Sequence, residues 1–353
     1  MVRRGLAMWV TVLVAGCAPT TGPVSPPLEV LVVLDRDARS LTLVAVDSTE
    51  LTLTIPLGLP SSIRPTTLAV RGAVAAVGLG DTDSVMIVDL GQLLPLRTIA
   101  IPGGAPIAAI AFGVDGVGYV ASPKSNRVTK FDPATGQVAP VFVNGGPQGF
   151  EIARGTVFVV LGNREVCYPV PTNCLTRPSW LTPLEPGPPF DSIPLLGPGN
   201  ASSAALGADG FLYVLNTGNG DVEGRLSVVD PVQRREVASF SGFGVFPQFL
   251  AADGTDRLFI ASSSNGLMEF NTRERRTVRG AGQGVPLGTP LGVLTDALGR
   301  VYVLEAGPCV GGVEAQVRVF GSDLVARRAI TTGSCPIAMA LTEIPIDPFS
   351  VDP

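Results

Sequence analysis

The chain has 353 residues, 42 of them glycine and 32 proline, with few aromatic and charged side chains and a formal net charge of −5. It contains no histidine, which excludes Ser-His and Cys-His nucleophile activation, His-ligated zinc or haem, and any histidine general base. No Lys/Arg cluster lies beyond the first four residues, so a nucleic-acid partner lacks its electrostatic footprint.

At the N-terminus Arg3 and Arg4 precede an apolar run over residues 5–15. That run is too short for a spanning helix, which needs about 20 residues. A basic start, a short apolar core and small residues at its end fit an export signal. Val14-Ala15-Gly16-Cys17 resembles the bacterial lipobox, with Val14 where Leu is usual. The resemblance implies that Cys17 is lipidated and becomes the mature N-terminus. The Pro- and Thr-rich stretch "APTTGPVSPP" that follows suits a flexible tether. The expected organisation is a lipoprotein signal over 1–16, a tether over 17–28, a folded domain over 29–345 and a tail over 346–353.

From residue 30 onward one unit recurs seven times. Its clearest part is a strand: "VLVVLD", "AVAAVG", "VGYVAS", "TVFVVLG", "FLYVLN", "RLFIAS" and "RVYVLE". Tight-turn pairs such as Asp115-Gly116, Arg154-Gly155 and Asp209-Gly210 precede it, with glycine able to supply the positive φ of a hairpin turn. A second strand ends at Asp47, Asp89, Asp132, Glu185, Asp230 or Asn271, at intervals of 42, 43, 53, 45 and 41 residues. A third follows, and a Pro- or Gly-led strand closes the unit, as in "PQGFEIA", "PQFLAA" and "PIAMAL". Four short strands in seven repeats describe an all-β, seven-bladed β-propeller with four-stranded blades. The chain starts without an inner strand and ends with a surplus one. The C-terminal strand is therefore expected to complete the first blade and close the ring, which removes two sheet edges.

"YVAS" from Tyr119, "YVLN" from Tyr213 and "YVLE" from Tyr302, with "FDPATGQV" and "VVDP" downstream, resemble bacterial YVTN-type propellers, relatives of the NHL-repeat type. The resemblance covers residues 28–345 and implies the fold, while members of that group serve varied roles. No literal YVTN occurs, and the fourth blade departs most from the pattern.

Lettering the strands A to D from the axis outward puts the B–C and D–A loops on one face, here the loop face, and the A–B and C–D turns on the other. Three B–C loops are long: 163–178 in blade 4, 216–224 in blade 5 and 305–315 in blade 7. Function is expected there, since long loops on a rigid scaffold are where binding groups sit. Cys167 and Cys174 fall in the first of these loops, Cys309 in the third, and Cys335 just before the last A strand. Topology selects Cys167–Cys174 and Cys309–Cys335 among the three pairings, and an exported chain favours oxidation. Two isolated thiols without histidine make a poor zinc site, so no metal ligand is assigned.

The candidate binding face comprises Asn163, Arg164, Glu165, Tyr168, Asn216, Asn219, Asp221, Glu223 and Glu305, with Gln148 and Gln248 at the axial mouth. Tyr168 and Arg164 are residue types common as interface anchors. "DTDSV" and "GNGDVEG" hold oxygen ligands suited to Ca²⁺ but lack the spacing of a dedicated calcium loop, so they read as solvated turns. No cofactor is expected; calcium is the one ion these turns would suit. No catalytic constellation assembles. The sequence thus points to a lipid-anchored, extracytoplasmic binding or scaffold module of the cell envelope, facing the periplasm or cell exterior. It would contact the membrane through its lipid and an envelope protein or small ligand through the loop face. The alternative is a calcium-dependent propeller hydrolase or lactonase.

Overall fold

The computed structural model describes residues 27–80, 82–162, 178–185, 191–197, 199–218, 222–307, 309, 315–333 and 335–344. The expected signal, the lipidation site Cys17, nearly all of the tether and the tail lie outside the described residues. So do the blade 4 loop residues Asn163, Arg164, Glu165, Cys167, Tyr168 and Cys174, and Asn219 and Asp221 of blade 5.

Seven four-stranded antiparallel sheets form the domain, each a blade of the ring. Six are built from consecutive strands. The exception is blade 1, whose inner strand Pro336–Ile344 comes from the end of the chain and pairs with Leu28–Asp35 from Leu28↔Ile344 to Asp35↔Pro336. The remaining inner strands are Thr67–Arg71, Ala109–Phe112, Gly146–Ala153, Ala201–Leu206, Pro247–Ala252 and Thr289–Thr295.

Alternation explains the layering. The second strand of each blade is buried on both sides, as in the fully buried runs Gly118–Ser122 and Leu212–Asn216, because neighbouring blades cover both faces. Each apolar cluster accordingly draws on two adjacent blades, for example Tyr213, Leu226 and Val228 of blade 5 with Ile260, Met268 and Phe270 of blade 6. The repeated tyrosine has two tasks. The rings of Tyr213 and Tyr302 are fully buried, and their hydroxyls donate to Asp209 and Asp296 of the A–B turn at 2.8 and 2.9 Å. Burial, and then the carboxylate acceptor, hold both phenols protonated well above the usual range. The Arg154-Gly155 turn shows why glycine recurs there: both residues have positive φ, 52° and 80°, the mirror-image turn that fits strand twist.

Two clasps secure the ring where blade 7 meets blade 1. On the loop face a disulfide joins Cys309 to Cys335, as the topology predicts, with Cα atoms 4.9 Å apart. Beside it the backbone N–H of Arg36 donates to the Cys335 carbonyl at 2.9 Å. On the turn face Arg300 of blade 7 donates to Asp296, donates to Asp47 at 3.2 Å and lies 3.8 Å from Glu29; the last two belong to blade 1.

Candidate functional site

Proline opens several inner strands because the inner edge faces the axis and needs no ladder donor there. Immediately after the proline or its equivalent, five of the seven inner strands carry a β-bulge. Pro147 pairs with Leu161 and Gly149 with Val160, so Gln148 is the extra residue. Ser202, Gln248, Leu291 and Ile337 occupy the same place in blades 5, 6, 7 and 1. A bulge leaves its residue out of the ladder and re-aims its side chain. Here the bulges lie at the loop-face mouth of the axis.

Three consecutive bulge residues are polar, and they line one cavity of about 470 Å³ with Asn200, Ser203, Thr217, Ala108, Phe246 and Phe249. Hydroxyls brace its blade 5 wall: Thr217 Oγ1 and Ser202 Oγ lie 2.8 Å apart, and Ser202 Oγ donates to the Gln248 carbonyl at 3.3 Å. Asn200, at φ 75°, donates its amide to the Gly218 carbonyl at 3.0 Å. The Gln148 and Gln248 amides, by contrast, make no hydrogen bond to a described residue. Gly162 makes room for one of them. A Cβ there would sit 2.6 Å from the Ala201 carbonyl oxygen and 2.9 Å from Gln148 Cγ. None of the described lining residues is ionisable.

Of the residues proposed from sequence, the structure brings Gln148 and Gln248 together at this mouth. It places the other described ones in internal contacts. Glu305 is 6% exposed and accepts from the Gly288 N–H at 2.8 Å, from Gln316 at 3.0 Å and from Arg318 at 3.1 Å. Asn216 is fully buried and donates to Ser227 Oγ at 2.9 Å. Glu223 is exposed, yet its carboxylate receives the Gly242 and Gly244 N–H groups at 3.1 and 2.9 Å and so ties the blade 5 loop to the next D–A loop. All three sit at or beside the end of a strand, where loop backbone offers donors that need an acceptor. Reading loops for polar residues does not reveal this. Among the described residues no three Cys, Asp or Glu side chains gather into a metal site.

Sequence reading missed Ser203, Thr217 and, at the other end of the axis, Glu151. The signal for Glu151 was present. On the rung where the inner strand meets the aromatic centre of the second strand, Ala111, Ala205, Ala251 and Leu294 pair with Tyr119, Tyr213, Phe259 and Tyr302, whereas Glu151 pairs with Phe158. Burial pushes its carboxyl up to about 7, against the opposing pull of the nearby backbone N–H groups of Ile152 and Leu206.

Fold and site together define a seven-bladed propeller with a neutral, hydrogen-bonding axial mouth. Among solved structures the chain is similar to the hydrazine synthase of Kuenenia stuttgartiensis, with 16% identity and a TM-score of 0.60 over 89% of this chain and 100% of that one. It is also similar to virginiamycin B lyase of Staphylococcus aureus, solved with quinupristin as a catalytically inactive histidine-to-alanine variant. That match has 12% identity and a TM-score of 0.57, covering 75% and 83% of the two chains. A streptogramin B lyase matches at 11% identity and a TM-score of 0.57, over 79% and 93%. At these identities the likeness shows the fold alone. No family model matches the sequence, and no curated protein matches it.

Proposed function

We propose that this protein is a lipid-anchored, extracytoplasmic propeller of the YVTN/NHL-like type. It acts as a binding module for an uncharged, hydroxyl- or amide-rich ligand held at the loop-face mouth. The observation that carries the reading is a pair of glutamine amides without a described partner, in a cavity whose other described polar groups are hydroxyls and an amide. Such a lining matches donors and acceptors without charge, as in a saccharide or a peptide backbone. Its described residues offer no acid or base for proton transfer.

The fold neighbours include lyases, but one of them is inactive when a histidine is replaced. This chain has no histidine, so that chemistry has no counterpart here. The calcium-dependent alternative lacks carboxylate ligands in the described lining of this mouth. The disulfide supports an oxidising compartment, and no helix among the described residues is long and apolar enough to cross a membrane. The lipobox resemblance at Cys17 supplies the anchor.

The test is a thermal-shift and calorimetric titration with neutral oligosaccharides in one arm and acetylated, amidated dipeptides in the other. Saturable binding in either arm that Gln148→Ala combined with Gln248→Ala abolishes supports the reading. Equal binding by that double variant, or none in both arms, overturns it. For the anchor, Cys17→Ser is expected to move the protein from the membrane to the soluble fraction with the propeller intact; retention on membranes would rule it out.

A further inference from the structure

The turn-face end of the axis is chemically unlike the mouth. A separate cavity of about 270 Å³ lies there, lined by Glu151 with Ala204, Ala205 and Leu206 of blade 5, Leu250, Ala251 and Ala252 of blade 6, and Val293, Leu294 and Thr295 of blade 7. Its volume is below the roughly 300–1,000 Å³ of drug-sized pockets. Thr295 is the only other polar side chain among the described lining residues, and its hydroxyl already donates to the Ala252 carbonyl at 2.6 Å. The three neighbouring strands thus present no titratable or charged group to Glu151, and no Lys or Arg pairs with it among the described residues.

An ionised carboxylate in such surroundings needs a counter-charge. We propose that this cavity is a second binding site, for a small organic cation: a primary ammonium on a short apolar stem, with Glu151 as its counter-ion. The backbone N–H groups of Ile152 and Leu206 favour the ionised carboxylate. The ammonium donates to its remaining lone pairs, and the stem lies against Leu250, Val293 and Leu294. A divalent metal fits the site poorly, because Ca²⁺ wants about six to eight oxygen ligands and the described side chains here offer one carboxylate and one hydroxyl among hydrocarbon. A propeller of this kind would read an amine at one end of its axis and neutral polar groups at the other.

Calorimetry of the folded domain with n-butylammonium, and with butan-1-ol as the uncharged isostere, decides the matter. At about pH 8.5, above the titration range of this carboxyl, saturable binding of the ammonium and none of the alcohol is expected. Glu151→Gln is expected to weaken binding by at least about tenfold, the scale of a lost charge-assisted contact. The double variant at Gln148 and Gln248 should bind the amine as the parent does. Equal affinity for the alcohol, an unaffected Glu151→Gln variant, or no saturable binding of the ammonium would overturn the proposal. If Glu151→Gln does not fold, the parent protein still decides it. Acidification to about pH 5.5 should protonate the carboxyl and weaken binding at least about tenfold, and a flat profile would count against the site.

Discussion

The two faces of this ring solve the same problems with opposite chemistry. On the loop face the axial mouth is wide, neutral and polar, and the closing clasp is covalent. On the turn face the axial cavity is smaller and apolar around one carboxyl, and the clasp is ionic through Arg300. The difference follows from the chain path. Bulges near the start of the inner strands, after Pro147, Ala201 and Pro247, turn Gln148, Ser202 and Gln248 out of the ladder at one end. At the other end regular pairing runs into tight turns and leaves apolar side chains around Glu151. Among the described residues, uncharged hydrogen-bonding side chains thus line one end of the axis and a carboxyl the other.

The covalent clasp offers the largest effect. Removing the Cys309–Cys335 bond, which spans 26 residues, by Cys335→Ser with Cys309→Ser should cost about 2–4 kcal/mol. Chemical denaturation checks it. Loss should begin at blade 1, so exchange of amide protons in Leu28–Asp35 should accelerate before that in blade 4.

Glu151 gives an effect of opposite sign. Its carboxyl is raised to about 7 in the folded protein from an ordinary value of 4.5, so the folded state keeps its proton over a range where the unfolded chain has lost it. Stability from this group is therefore unaffected below the ordinary value, falls as pH rises between the two, and stays low above the upper one. Glu151→Gln should match the parent at low pH and exceed it by up to about 3 kcal/mol above neutrality. Melting curves of both proteins across that range measure the difference, and a constant offset would contradict it.

The ionic clasp should be worth less. Arg300→Ala leaves Asp296 with the Tyr302 hydroxyl and the backbone N–H groups of Leu298 and residue 300 as donors. A loss of about 1–2 kcal/mol is expected, reduced by high salt only in the share owed to the exposed partner Asp47. The smallest stability change belongs to the mouth. Gln148→Ala and Gln248→Ala remove amides without partners among the described residues and should each shift stability by less than about 0.5 kcal/mol, while abolishing binding of the proposed neutral ligand. A large loss of stability would mean that these amides have structural roles.

The sequence by itself determined the ring. Alternation, turn glycines and the spacing of acidic strand ends are local and repeat in every unit. They gave seven four-stranded blades, the C-terminal strand completing the first, and the pairing of Cys309 with Cys335. Only tertiary structure decided what lines the axis. Gln148, Ser202 and Gln248 come together from segments about fifty residues apart, a separation that propeller repeats impose, and bulges with no strong sequence mark aim them inward. The same assembly turned Asn216 and Glu305 inward as hydrogen-bonding supports. It also set Glu151 among alanines and leucines of three other blades, where a carboxylate on an isolated strand would simply face water.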